Sequence, residues 1–85
     1  MGIRVFIADD HPMTRAGLVA TLEREEDLEI VGEASDGVEA WRVIREKTPD
    51  VALVDIRMPG EDGVSLVRRI KESGLPVVSL MLTSY

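Results

Sequence analysis

The chain has 85 residues, of which 45% are hydrophobic and 31% charged, so it is long enough for one small globular domain and too short for two. Its net charge of −6 disfavours direct binding to nucleic acid phosphates or to an anionic membrane surface. The chain has no cysteine and a single histidine, which excludes a disulfide framework and an ordinary zinc site. It also has no signal peptide and no apolar run long enough to span a membrane, so we expect a cytoplasmic protein.

Short apolar runs alternate with segments of helical periodicity along the whole chain. Runs of this length rich in Val, Ile and Leu predict strands, and Pro12, Asp36-Gly37 and Asp62-Gly63 are typical of helix starts. In chain order the predicted elements are β1 (3–8), α1 (12–24), β2 (28–33), α2 (36–47), β3 (51–55), α3 (63–73) and β4 (77–82). Strict alternation of strand and helix predicts an α/β domain with a parallel sheet of the flavodoxin-like type.

The order of the strands can be predicted from how apolar each one is. β1 and β4 are almost continuously apolar, as expected of strands covered on both faces, whereas β2 carries Glu29 and Glu33 and suits an edge. These patterns favour the order 2-1-3-4. Right-handed crossovers then place α1 on one face of the sheet and α2 and α3 on the other. Because one helix cannot cover four strands, we expect the α1 face to be half bare.

Three aspartates follow the two central strands of this predicted sheet. Asp9 and Asp10 come directly after β1, and Asp55 ends β3. Open α/β sheets bind ligands at the switch point, beyond the carboxyl ends of the strands, so we expect the three carboxylates to converge there. Like charges this close favour a hard divalent cation, and Mg²⁺ suits two or three carboxylates and shares its shell with phosphate oxygens. An aspartate can also act as a nucleophile and form an aspartyl phosphate.

Each of these features also has a simpler explanation. An Asp-Asp pair before a helix is usually a solvated cap, and Met58-Pro59-Gly60 and Asp62-Gly63 alone would be turn segments. His11, the single imidazole, is expected to help begin α1 rather than to bind metal. Among enzymes, a haloacid-dehalogenase-type phosphatase would need a second Asp two residues after its nucleophile, where this chain has Arg57. A flavodoxin would not place acidic residues where the flavin phosphate binds.

Three segments taken together resemble a known family. They are Asp9-Asp10-His11-Pro12, then residues 55–63 (DIRMPGEDG), and then Leu82-Thr83-Ser84. Their combination and spacing resemble the receiver domain of two-component response regulators, a CheY-like domain, across the whole chain. Residues 9–18 (DDHPMTRAGL) are similar to the LuxR/NarL-type branch, whose members regulate transcription through a helix-turn-helix DNA-binding domain after the receiver. The resemblance implies a signalling domain rather than a classical enzyme.

The resemblance also implies a role for each matching residue. Asp55 would be the phosphoacceptor that takes a phosphoryl group from a sensor histidine kinase or a small phosphodonor. Mg²⁺ would be bound directly by Asp10 and Asp55, largely through water by Asp9, and by the backbone carbonyl of Arg57. Thr83 would supply a hydroxyl that turns toward the phosphoryl group, although a plain β-branched strand residue is the alternative.

The chain departs from the family pattern after β4. A complete receiver has roughly one more helix, strand and helix, which carry a lysine that pairs with the phosphoryl group, and the output DNA-binding domain is absent as well. Lys47 and Lys71 do not replace that lysine, because both end helices that return to the opposite edge of the sheet. An exposed β4 edge and a half-bare sheet face would favour self-association. Two hypotheses remain open: a phosphorylatable receiver, and a truncated receiver that is an association module without efficient phosphotransfer.

Overall fold

The fold is an alternation of four parallel strands and three helices. The computed structural model describes residues 2–58 and 62–82. Its elements are β1 (Ile3–Ala8), α1 (Pro12–Glu23), β2 (Leu28–Ala34), α2 (Gly37–Lys47), β3 (Val51–Asp55), α3 (Gly63–Ser73) and β4 (Val78–Leu82). The strands form one parallel sheet in the order β2-β1-β3-β4, which confirms the predicted fold class and strand order.

Two helices differ by one residue from their predicted bounds. α1 ends at Glu23 rather than at Arg24, because Arg24 is the C-cap and its amide donates to the Thr21 carbonyl in a tighter turn. α2 begins at Gly37 rather than at Asp36. Asp36 has an extended backbone, and its side chain accepts a hydrogen bond from the Glu39 amide at 2.8 Å, which makes it the N-cap.

Two strands also differ by one residue. β2 extends to Ala34, because Ala34 still pairs with Ala8 at the end of β1. β4 starts at Val78 rather than at Val77, because the Val77 amide donates to the Leu75 carbonyl at 2.8 Å and closes a tight turn before the strand. In the part of the chain that the structure describes, no helix is long and apolar enough to cross a membrane.

The main core lies between the sheet and the pair of helices α2 and α3. Alternate residues of a strand point to the same face, and in the two central strands these residues are fully buried against the helices. The buried residues shared by sheet and helices are Phe6, Ala8, Ala52, Val54, Ala40, Ile44, Leu66 and Ile70. This core fixes β1 beside β3, the pair of strands whose carboxyl ends carry the aspartates.

The opposite face of the sheet is covered only in part. α1 lies over β1 and β2, where Val5 and Ile7 are buried, yet α1 itself contributes no fully buried residue. On the same face of β4, Val78 is 60% exposed and Leu80 50% exposed. The half-bare face expected from the helix count is therefore present in the described residues.

Candidate functional site

The three aspartates meet at the carboxyl end of the central strand pair. Ala8 lies opposite Val54 in the register of β1 and β3, so that Asp9 and Asp55, the next residues of their strands, emerge side by side. Asp9 is also tied to β2, because its amide donates to the Ala34 carbonyl at 3.0 Å. Ligand atoms of Asp9, Asp10, His11 and Asp55 all lie within 4.8 Å of one another. We call this group the acidic pocket.

Asp9 and Asp55 are held in the same way. Each carboxylate accepts a hydrogen bond at Oδ1 from the amide two residues later, His11 for Asp9 at 2.8 Å and Arg57 for Asp55 at 3.0 Å. This short side-chain-to-backbone turn fixes the rotamer of the aspartate and uses only one of its oxygens. Both residues are almost fully buried, with 2% and 1% of their surface exposed. The second oxygen of each is thus presented by a rigid, buried side chain.

Two oxygens of the acidic pocket are buried without a hydrogen-bond partner among the described residues. They are Asp10 Oδ1 and Asp55 Oδ2. A buried carboxylate oxygen without a hydrogen-bond partner is costly, because it loses its hydration and gains no hydrogen bond in exchange. Hard divalent cations such as Mg²⁺ bind carboxylate oxygens, so the donor set and its unsatisfied oxygens fit such an ion.

His11 is also part of the acidic pocket, and sequence reasoning missed it. Its backbone is the N-cap of α1, but its side chain makes no capping hydrogen bond. The ring turns instead toward the carboxylates: Nδ1 lies 2.9 Å from Asp10 Oδ1, 3.2 Å from Asp9 Oδ1 and 3.7 Å from Asp55 Oδ2. The Asp9 contact is a hydrogen bond, whereas the shorter Asp10 contact lacks hydrogen-bond geometry and is ionic. His11 thus begins α1 as expected through its backbone, while its ring faces the carboxylates.

The environment of His11 favours its charged form. The hydrogen bond to Asp9 and then the negative charge of Asp10 raise the pKa of the His11 imidazole above its ordinary value of 6.5. The side chain is 56% exposed, so the ring covers the solvent side of a pocket whose floor is the buried Asp9 and Asp55. When protonated, the His11 ring offsets part of the negative charge of the pocket.

Two further residues of the expected site have a limited structural description. Arg57 is exposed, and its amide orients Asp55, which sequence reasoning did not predict. Thr83 lies outside the described residues, so its role stays a prediction. The residue before it, Leu82, is paired with Asp55, and its carbonyl accepts a hydrogen bond from the Ile56 amide at 3.1 Å.

The start of α3 packs directly on the backbone that carries Asp55. Asp62 is the N-cap, since its side chain accepts a hydrogen bond from the Ser65 amide at 2.8 Å, and this hydrogen bond holds the Asp62 pKa below its ordinary value. Gly63 donates its amide to the Ile56 carbonyl at 3.0 Å. A Cβ atom at Gly63 would collide with the Asp55 carbonyl. Gly63, predicted as the start of α3, thus also lies where only a glycine fits against the strand that ends in Asp55.

Comparison with known proteins identifies the family. The family profile described as the response regulator receiver domain matches residues 5–85. The chain is 46% identical over 84 residues to the transcriptional regulatory protein LiaR of Bacillus subtilis, and the match covers 98% of this chain and 39% of LiaR. The chain therefore spans about two fifths of the length of this relative.

Solved structures give the same assignment. The signal receiver domain of NarL from Mycobacterium tuberculosis matches with a TM-score of 0.95 and 39% identity, over 99% of this chain and 68% of that chain. The isolated receiver domain of RcsB from Salmonella enterica serovar Typhimurium, solved in the presence of the phosphomimetic BeF3−, matches with a TM-score of 0.91 and 31% identity, over 100% of this chain and 64% of that chain. The chain belongs to the response regulator receiver domain family, among the LuxR/NarL-type regulators of two-component systems.

Proposed function

We propose that the chain accepts a phosphoryl group on Asp55 in the presence of Mg²⁺. The observation that supports this most directly is Asp55 Oδ2, a buried oxygen that has no hydrogen-bond partner among the described residues, on a carboxylate whose other oxygen is fixed by the Arg57 amide. A nucleophile needs one free, oriented lone pair, and this geometry supplies it. Asp9 and Asp10 make the surroundings too negative for a phosphoryl group unless a cation is bound.

The residues that would hold Mg²⁺ follow from the pocket. Asp10 and Asp55 are proposed as direct ligands, with Asp9 acting largely through water. The backbone carbonyl of Arg57 is proposed to complete the set. When bound, Mg²⁺ neutralises the charge that develops on a transferring phosphoryl group.

The transfer step itself needs little protein chemistry. Asp55 Oδ2 forms the new O–P bond, while the P–N bond of a phosphohistidine in a sensor kinase, or the P–O bond of a small acyl phosphate, breaks and its electron pair leaves with the donor. The burial of Asp55 excludes bulk water from its side of the phosphorus. After the transfer, the Thr83 hydroxyl is proposed to donate a hydrogen bond to a phosphoryl oxygen.

The biological role belongs to the whole protein, of which this chain matches the receiver part. LiaR is named a transcriptional regulatory protein and is longer than the matched segment. We propose that phosphorylation of this receiver, in the cytoplasm, regulates transcription through a helix-turn-helix domain in a longer protein. The chain itself is acidic, with a net charge of −6, so DNA contact would come from that other domain.

Intact-mass spectrometry tests the phosphoacceptor directly. The chain is incubated with acetyl phosphate and Mg²⁺, and a mass gain of one phosphoryl group is expected, which is absent with EDTA and absent in Asp55→Asn. Asp27→Asn is the matched control, since it removes the same charge at an exposed turn and should leave the mass gain intact. Phosphorylation that persists in Asp55→Asn would contradict the assignment of the acceptor.

The exposed side of β4 favours a second candidate function, self-association. Within the described residues β4 pairs only with β3, and its Val78 and Leu80 side chains are half or more exposed. A strand edge and an apolar patch of this kind pair readily with another chain. As an association module, the chain would bind a second copy through β4 and the bare face while phosphotransfer stays inefficient.

Light scattering over a dilution series tests this candidate. Self-association predicts a mass above that of one chain at high concentration, which falls on dilution and falls further in Leu80→Lys. Val38→Lys is the control, because Val38 is also exposed, at 70%, but lies on α2 away from the bare face. A monomer at every concentration would remove this candidate and leave the phosphoacceptor proposal unaffected.

A further inference from the structure

We propose that His11 is a ligand of the acidic pocket, through Nδ1, and that it makes the pocket favour late first-row transition cations such as Ni²⁺ and Zn²⁺ beyond what three carboxylates would. The inference deepens the proposed function, since it concerns the same cation site. It gives a role to the imidazole ring, which neither caps α1 nor packs in the core.

The position of Nδ1 supports direct ligation. It lies within 3.7 Å of one oxygen of each of the three aspartates, on the open side of the pocket. Ligands about 2.0–2.2 Å from one ion lie at most about 4.4 Å apart. Nδ1 already lies within this limit of one oxygen of each aspartate, and the ligand atoms of the four residues all lie within 4.8 Å of one another, so small side-chain movements would complete a common shell.

A second observation shows that the pocket lacks a partner rather than merely holding acidic residues. Asp55 is 1% exposed, and its Oδ2 has no hydrogen-bond partner in the described part of the chain although it faces the pocket. The backbone amide of His11 donates to Asp9 Oδ1 at 2.8 Å, and Nδ1 of its ring is hydrogen-bonded to the same oxygen at 3.2 Å, so the imidazole is held at the pocket. The scaffold therefore places one nitrogen donor beside oxygens that require a cation.

The imidazole nitrogen should raise the affinity of the pocket for some cations more than for others. Mg²⁺ prefers oxygen ligands and keeps its waters, so an added imidazole changes its binding little. Imidazole is a good ligand of Ni²⁺ and Zn²⁺, whereas Mn²⁺ prefers oxygen ligands much as Mg²⁺ does. Binding would release the proton that Nδ1 shares with Asp9, and the other ring nitrogen would remain protonated toward solvent.

Isothermal titration of the untagged chain with Mg²⁺ and with Ni²⁺ measures the effect. His11→Asn is expected to weaken Ni²⁺ binding by about tenfold or more and to change Mg²⁺ binding by less than about threefold. Met13→Gln is the control, because Met13 is 89% exposed in the first turn of α1 and should change neither affinity. Equal Ni²⁺ affinity of the wild type and His11→Asn would overturn the inference.

A spectroscopic readout separates ligation from an indirect effect. His11 is the single histidine of the chain, so the ¹⁵N resonances of its ring are assigned without ambiguity. Zn²⁺ is expected to shift the Nδ1 resonance by a direct bond in the wild type and not in Asp55→Asn combined with Asp10→Asn. An unshifted Nδ1 with Zn²⁺ bound would overturn the inference and leave the Mg²⁺ site standing. Failed phosphorylation with an intact His11 signature would overturn only the proposed function.

Discussion

Asp55→Asn is expected to stabilise the metal-free chain. The substitution keeps the shape of the side chain, and Asn Oδ1 can still accept the hydrogen bond from the Arg57 amide. It removes one of three negative charges from a pocket in which Asp55 Oδ2 has no hydrogen-bond partner among the described residues. The amide can also donate to a neighbouring carboxylate. The gain should therefore come from relieved repulsion and not from altered packing.

The magnitude follows from the size of the acidic pocket. Two unit charges 4.8 Å apart, the largest separation between its ligand atoms, repel by ~3.5 kcal/mol at an effective dielectric of about 20. Protonated His11, whose Nδ1 lies 3.7 Å from Asp55 Oδ2, offsets part of this repulsion. Solvent around the partly exposed Asp10 reduces it further. We expect a net gain of ~1–3 kcal/mol in the free energy of unfolding, or ~4–8 °C in Tm for each kcal/mol.

Thermal unfolding followed by circular dichroism in EDTA measures the gain. The stability gained by Asp55→Asn should grow as the pH rises through the His11 pKa, because a neutral imidazole no longer offsets the negative charge of the carboxylates. Excess Mg²⁺ should reduce or reverse the difference in Tm between Asp55→Asn and the wild type, since we expect the wild type to bind the ion more tightly. Asp27→Asn removes a charge at an exposed turn and should change Tm little. A lower Tm for Asp55→Asn in EDTA at alkaline pH would refute the claim that the carboxylates repel one another.

Three more expectations follow from single contacts. Ile44→Ala should cost about 2–5 kcal/mol in urea unfolding, because Ile44 is fully buried, whereas Val38→Ala, at a side chain 70% exposed, should be near neutral. Gly63→Ala should cost about 1–3 kcal/mol by the same assay, since its Cβ would collide with the Asp55 carbonyl; an unchanged unfolding curve would contradict that close approach. NMR titration of His11 in EDTA should give a pKa above 6.5. The stabilisation by its ion pairs should be fully present below pH 6.5 and should disappear as the pH rises through the raised pKa. An ordinary pKa would show that the ring does not face the carboxylates.

The sheet and the convergence of the aspartates could be predicted because both follow from periodicity and topology. Alternation of strand and helix fixes a parallel sheet, and a parallel sheet brings the carboxyl ends of neighbouring strands together. Asp9 and Asp55 therefore had to meet once β1 and β3 were neighbours, and the β1–β3 register brings them side by side. The one-residue errors at Asp36 and Val77 have a local cause, since each depends on a single hydrogen bond that periodicity does not encode.

The contributions of His11 and Gly63 could not be predicted, because they depend on side-chain direction and on close approach in space. The side chain of an N-cap residue usually accepts a hydrogen bond from the helix, but the His11 side chain makes no such bond and its ring faces the carboxylates. Its place directly after two site aspartates was the available signal. For Gly63, the Asp-Gly pair indicated the start of α3, but the close approach of Gly63 to the Asp55 carbonyl appears only when α3 is packed on β3.

The proposed cation site and the proposed phosphoryl transfer depend on parts of the sheet that are buried to different degrees. The pocket is carried by β1 and β3, whose Phe6, Ala8 and Val54 are fully buried, so it belongs to the portion of the sheet that is hardest to open. The proposed hydroxyl, Thr83, follows β4 directly in the sequence, and β4 is the strand whose Leu80 is half exposed and whose outer edge has no partner strand in the described residues. A segment that covers β4, whether from a longer protein or from a second copy, would stabilise the strand that precedes Thr83 more than the strands that carry the acidic pocket. Cation affinity should accordingly depend little on the state of β4, and phosphorylation should depend on it strongly.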